Sequence, residues 1–130
     1  MLFKSTRGQA PLLGFADVLL QGLAKGGGLY IPESVPVFSR ADLKRLRLLS
    51  YPALADEITR HFVVGDLFSA ADNRRLTMNA YASDVWESSN VVPVVKLFDR
   101  VYLAELFRGP TLAFKDLAMQ LLALQMEMAL

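Results

Sequence analysis

The chain has 130 residues, 53% of them hydrophobic and 21% charged, which is enough apolar material for one ordered domain and too much for a disordered polymer. Fourteen basic residues against thirteen acidic ones leave a formal charge of +1, so no global field calls for nucleic acid or an anionic membrane, and the expected partner is a small molecule or another protein. With no cysteine, a disulfide framework, a zinc–thiolate site and a thiol nucleophile are excluded together.

The opening stretch MLFKSTRGQAP carries charges early and lacks the apolar core and cleavage site of a secretory signal, so it reads as mature, cytoplasmic sequence. Phe15, Val18, Leu19 and Gly22 recur at helical spacing and predict a helix over residues 12–23, ended by the glycines at 26–28. GLYIP, residues 28–32, reads as a short strand stopped by Pro32. Ser39 with Asp42 gives a capping-box pattern for a helix with Leu43 and Leu46 on its apolar side and Arg40, Lys44, Arg45 and Arg47 on a solvated face. A second helix starts near Ser50, has Pro52 in its first turn, and spaces Leu54, Ile58 and Phe62 four apart as its apolar stripe. His61 lies beside that stripe and, with no carboxylate cluster near it in sequence, reads as a surface or packing residue.

Ser69 and Asp72 repeat the capping pattern for a helix reaching about Ala82, with Leu76, Ala80 and Tyr81 as its contacts. SDVWESSNVVP then reads as a polar connector around the single tryptophan, Trp86, with a domain boundary at residues 88–90 that divides the chain into 1–88 and 89–130. Beyond Pro93, VVKLF and VYLAEL predict a strand pair joined at Asp99 and Arg100. Because Asp-Arg is not a favoured two-residue hairpin turn, a longer loop is expected there.

The stretch ELFRGPTLAFKD raises a chemical question, because it sets Lys115 at the head of an apolar run. Gly109 and Pro110 turn the chain, Thr111 is placed to cap the following helix, and Lys115 falls in its first turn or just beyond. A helix N-terminus disfavours an ammonium, and apolar neighbours at Leu112, Phe114 and Leu117 do the same, so both favour the neutral amine that attacks carbonyls. Asp116 pushes the other way, or serves the N–H groups of the helix itself. A lysine with its stem packed and its head in water fits the same spacing. The run from Leu117 to Leu130 is too short and too polar to span a bilayer, and its leucines and methionines lie on nearly every side, so the helix must be covered or must drive copies together.

GPTLAFKD, Gly109 to Asp116, resembles the pyridoxal-phosphate lysine motif of the threonine synthases, a family of fold-type II enzymes, and STRGQAP, LLQGLA and GGLYIPES resemble the N-terminal domain of that family in order and spacing. The resemblance implies an α/β fold: a mixed N-terminal domain of short strands and helices, followed by the first strands and helix of the cofactor domain. It implies that Lys115 bonds the aldehyde of pyridoxal 5′-phosphate and moves protons as the reaction's base, with O-phospho-L-homoserine as substrate and L-threonine and phosphate as products. It makes Thr6, Arg7 and Thr111 candidates for binding the substrate; for Thr6 and Arg7 an N-terminal strand pinned by a salt bridge remains the plain structural reading. Arg108 stands where the family often has histidine and Gly26 where it often has an acidic residue. Arg108 is open to two readings, a ligand for a phosphate or carboxylate and a surface substitution. Since the family's phosphate-binding loop follows later in sequence, the resemblance also implies a fragment, inactive alone, whose partner is the remainder of the same polypeptide. A related phospho-lyase with another substrate, and a non-catalytic module docking through its C-terminal helix, stay open as alternatives.

Overall fold

The structure is a computed structural model and describes residues 1–65 and 67–130. Its elements, in chain order, are β1 (Phe3–Ser5), α1 (Phe15–Gln21), β2 (Tyr30–Pro32), α2 (Arg40–Leu46), α3 (Tyr51–Val63), α4 (Ala70–Ala80), β3 (Val94–Phe98), β4 (Val101–Ala104) and α5 (Asp116–Ala129). This is the mixed α and β composition the sequence implies, and among the described residues both sheets are two-stranded and antiparallel. No described helix is long and apolar enough to cross a membrane.

The N-terminal sheet begins where the sequence pattern was weakest. Phe3 pairs with Pro32 across β2, and its other edge exchanges backbone hydrogen bonds of 2.9 and 3.1 Å with Leu13. Leu13 is therefore extended, and the helix expected from residue 12 starts only after Gly14. It also ends early: Gly22, at φ 72°, donates its N–H to Val18 and stops the helix four residues before the triple glycine. Gly28 has a different task. A Cβ there would lie 2.6 Å from Ser5 Oγ, so the strand approach requires glycine.

Both capping boxes form as read. Ser39 and Asp42 exchange side-chain and backbone hydrogen bonds at the head of α2, and Ser69 and Asp72 do so at α4. Leu46 is buried, but Leu43 is exposed, so the apolar side of α2 is narrower than expected. On α3 the face itself is different. Leu54, Ile58 and Phe62 are only half-buried, while Asp56 and Val63 are the buried positions. Asn73 of α4 explains the rotation: fully buried, it donates to Asp56 Oδ1 at 2.7 Å and accepts from Thr59 Oγ1 at 3.1 Å. Arg60, one turn on from Asp56, completes the pair with its guanidinium. His61 is exposed and stands edge-on to Phe38 at 5.6 Å, the packing role expected of it.

The core gathers Phe68, Leu76, Ala80, Tyr81, Trp86, Val91 and Leu121, with Phe15, Leu19, Tyr51, Ala55 and Leu117 against it. The segment read as a polar connector thus supplies two of its most buried side chains. Trp86 is 4% exposed with its indole N–H on Ala80 O at 2.9 Å, and Val91 is 1% exposed despite a left-handed backbone at φ 59°. The final hairpin contrasts with this, because every residue of β3 and β4 is exposed. Its turn is shorter than expected: Phe98 pairs directly with Val101, Arg100 takes a left-handed conformation at φ 60°, and the register slips between Lys96 and Phe98.

Candidate functional site

The lysine loop runs from the end of β4 to the first turn of α5. Glu105 is tied to the entry of β3 by its N–H on Pro93 O at 2.9 Å. Three residues on, Arg108 reaches back: Nη2 lies 2.7 Å and Nε 2.8 Å from Glu105 Oε2, and Nη1 lies 3.2 Å from Glu87 Oε2. The Glu87 N–H also donates to Arg108 O at 3.1 Å. Hydrogen bonding to Glu105, then to Glu87, holds the guanidinium above its ordinary pKa range. Arg108 also covers the Phe107 ring, 5.1 Å from its centroid. Its charge is thus occupied by two carboxylates that link the loop to the Trp86 segment, an arrangement that neither sequence reading of Arg108 contained.

Thr111 does not cap the helix. Lys115 occupies the N-cap position of α5, with helical φ −63° and ψ −22° and no side-chain capping bond. Thr111 instead donates to the buried Asp116, its N–H to Oδ2 at 2.8 Å and its hydroxyl to Oδ1 at 2.7 Å. The carboxylate expected to act on Lys115 or on the helix therefore faces backwards into the loop. Gly109 makes room for it, since a Cβ there would stand 2.5 Å from both Asp116 Cβ and Oδ2. Between them Leu112 sits at φ 60°, closing a turn from its N–H to Gly109 O at 3.1 Å.

Lys115 itself is exposed, and its side chain makes no hydrogen bond or ion pair among the described residues. Leu112 and Phe114 are 62% and 64% exposed. The apolar enclosure expected of these neighbours is not built by them within this chain; only Leu117 turns toward the core. What the loop does have is a fixed base. Leu117 O accepts the Tyr81 hydroxyl at 2.8 Å, and burial, then the neighbouring Tyr51, pushes Tyr81 up to about 12.

Thr6 and Arg7 belong to the other sheet. Thr6 Oγ1 accepts from Leu29 N at 3.0 Å, and Arg7 Nη1 donates to Gly26 O at 2.7 Å. The N-terminal strand is present, but a carbonyl takes the place of the salt bridge expected to pin it. No hydrogen bond or ion pair among the described residues joins these two to the lysine loop, whereas Arg108, Thr111 and Lys115 share that loop. A cleft of about 270 Å³ lies against Met1, Phe15, Phe62 and Phe68 and involves none of the five. The supporting residues that sequence reasoning missed are Glu87 and Glu105, each an acidic side chain inside a connecting or apolar stretch, which is the only signal they gave; Tyr81 was read only as a helix contact, without its bond to the loop.

Comparison with known proteins agrees with the family resemblance. Residues 2–81 match the family model described as threonine synthase N terminus. Threonine synthase from Methylobacillus glycogenes is 43% identical over 129 residues, covering 94% of this chain and 27% of the relative, and that from Pseudomonas aeruginosa is 45% identical over 122 residues, covering 94% and 25%. Among solved structures, a pyridoxal-phosphate-bound threonine synthase from Brucella melitensis superposes with a TM-score of 0.92 at 44% identity, over 99% of this chain and 27% of that one. The chain spans about a quarter of the length of the curated relatives it matches. It belongs to the threonine synthase N-terminus family.

Proposed function

We propose that this chain is the N-terminal part of a threonine synthase, a lyase that converts O-phospho-L-homoserine and water to L-threonine and phosphate, with Lys115 bonding the aldehyde of pyridoxal 5′-phosphate. The observation that carries the reading is local. The octapeptide Gly109–Asp116 folds into a closed loop in which the carboxylate of Asp116 is turned inward and the amine of Lys115 is left exposed. A primary amine without an ion pair among the described residues is the donor that bonding an aldehyde needs. When bound, the cofactor supplies an electron sink for charge developing at the substrate's α carbon. Lys115 would then have the second task of moving protons: it takes one from the α carbon and one from the β carbon and, as phosphate leaves the γ carbon and water adds at the β carbon, returns one at the γ carbon and one at the α carbon.

The triple glycine is unsuited to hold the cofactor phosphate, because the Gly27 N–H already donates to Ala24 O at 2.9 Å and Gly28 is packed on Ser5. The phosphate cradle is therefore assigned to the remainder of the same polypeptide, which is also the proposed cover for the exposed hairpin and for the outer side of α5. Without that cover, copies of the chain associate. Thr6, Arg7, Arg108 and Thr111 are kept as substrate-side candidates. Arg7 is the strongest of them for a phosphate, since among the described residues its guanidinium bonds only a carbonyl, whereas Arg108 is held by two carboxylates and Thr111 by one. The division at residues 88–90 belongs to the same proposal and is supported by the family match ending at residue 81. A cytoplasmic location is proposed with it, on the cysteine-free composition.

The test is the reaction of the intact polypeptide with O-phosphohomoserine in the presence of the cofactor. Threonine and phosphate are expected in equal amounts, and Lys115→Ala should abolish both while preserving the fold. Turnover surviving in Lys115→Ala overturns the assignment of the lysine, and formation of a different amino-acid product favours the related phospho-lyase.

A further inference from the structure

Asp116 and Lys115 are neighbours with opposite environments. The carboxylate is 3% exposed and the adjacent amine side chain is exposed. An aspartate at the first position of a helix ordinarily faces the helix's own free N–H groups. Here it reaches back five residues and accepts both hydrogen bonds that Thr111 can donate, at 2.8 and 2.7 Å, while Gly109 packs directly beneath it. The loop so closed contains Leu112 in a left-handed conformation, which an unfastened chain would leave. On its far side, the Lys115 carbonyl accepts from Ala118 and Met119 at 3.0 and 2.9 Å, which fixes the lysine backbone to α5.

We propose that Asp116 is a positioning residue: by gripping Thr111 it fastens the loop at 109–116 and sets the direction in which the Lys115 amine leaves the backbone. The proposal rests on the reading of Lys115 as the aldehyde-bonding lysine and adds to it the part that aims the amine. It also gives a physical reason for threonine and aspartate standing five apart around the lysine. Asp116 acts through Thr111 and the backbone, and Lys115 alone meets the cofactor.

The experiment is reductive trapping. The intact polypeptide is treated with pyridoxal 5′-phosphate and borohydride, and the labelled lysines are mapped by mass spectrometry. The readout is the ratio of label on Lys115 to label on Lys25 and Lys96 of the same folded molecules, which a general loss of stability does not change. Wild type should favour Lys115. Asp116→Ala should lower the ratio by about tenfold or more, as misplaced reacting groups do. Thr111→Val should lower it by less, and Thr111→Ser, which keeps the hydroxyl, should restore it. Should Asp116→Ala fail to fold, Thr111→Val, which removes a single hydroxyl bond, carries the test. An unchanged ratio in the folded variants overturns the positioning role while leaving Lys115 in place. A wild-type protein with no preference for Lys115 overturns the reading of the lysine itself, and the positioning role with it.

Discussion

The paired helices α3 and α4 and the hairpin β3–β4 are built on opposite plans. Between the helices even the polar groups are inside: Asp56, Asn73 and Thr77 are 2%, 0% and 0% exposed, and no buried side-chain donor or acceptor lacks a partner among the described residues. In the hairpin even the apolar groups are outside, with Val94, Phe98 and Tyr102 64%, 65% and 61% exposed. The first region supplies its own cover, with its polar network fixing how the helices meet. The second satisfies only its mutual backbone pairs and leaves both faces bare, which suits strands that lie within a larger sheet and are marginal by themselves. The lysine loop joins the two. Glu87 and Tyr81, on the enclosed side, hold Arg108 and Leu117, so the loop takes its geometry from the region that is complete.

If that contrast is right, the largest losses of stability come from the enclosed side. Trp86→Ala removes a side chain that packs on Tyr81 at 6.0 Å between ring centroids and bonds Ala80, and it should cost about 3–5 kcal/mol in urea unfolding. Asn73→Ala is next. It strips the buried Asp56 carboxylate of its 2.7 Å donor but leaves Arg60 in place, so a cost of about 1–3 kcal/mol is expected. A loss below experimental error in both variants would mean that the helical region is not the stable part.

The junction should respond less, and with a pH signature. Tyr81→Phe deletes the hydroxyl bond to Leu117 O, at about 1 kcal/mol. In the wild type the folded-state pKa of Tyr81 is raised from 10.0 to about 12, chiefly by burial. The folded state therefore retains a proton that the unfolded state releases, so this stability is present in full below pH 10 and is lost as pH rises from 10 towards 12. Alkaline unfolding followed by tyrosinate absorbance should be shallower in Tyr81→Phe, with Tyr51, also raised by burial, left to supply the remainder.

How much of this could be read from sequence depends on the range of the interaction. The capping boxes at Ser39 and Ser69 were legible because side chain and backbone meet within three residues. The family resemblance was legible in the octapeptide Gly109–Asp116, but the cap expected of Thr111 was not formed, because its partner, Asp116, lies on the far side of the turn. The α3 face differs from the apolar stripe because periodicity gives no weight to the buried Asp56 and the half-buried Thr59, both of which bond Asn73 of another helix. Trp86 and Val91 were hidden for a similar reason. The serines and acids around them made a polar segment of what is, in space, the edge of the core.

The smallest change in stability should come from the hairpin, and it sharpens the contrast most directly. Phe98→Ser and Val94→Thr alter side chains about two-thirds exposed, so unfolding of the isolated chain should move by no more than about 0.5 kcal/mol. Association should move far more. Sedimentation at increasing concentration should show wild-type chains gathering through these bare faces, and the double variant should remain monomeric to higher concentration. In the longer polypeptide proposed above the order reverses: there the same two substitutions should destabilise, because the side chains are expected to lie against other strands and helices. Equal, small effects in both settings would mean that the hairpin faces water in the whole protein too, and the division between a self-covered and a dependent region would have to be abandoned.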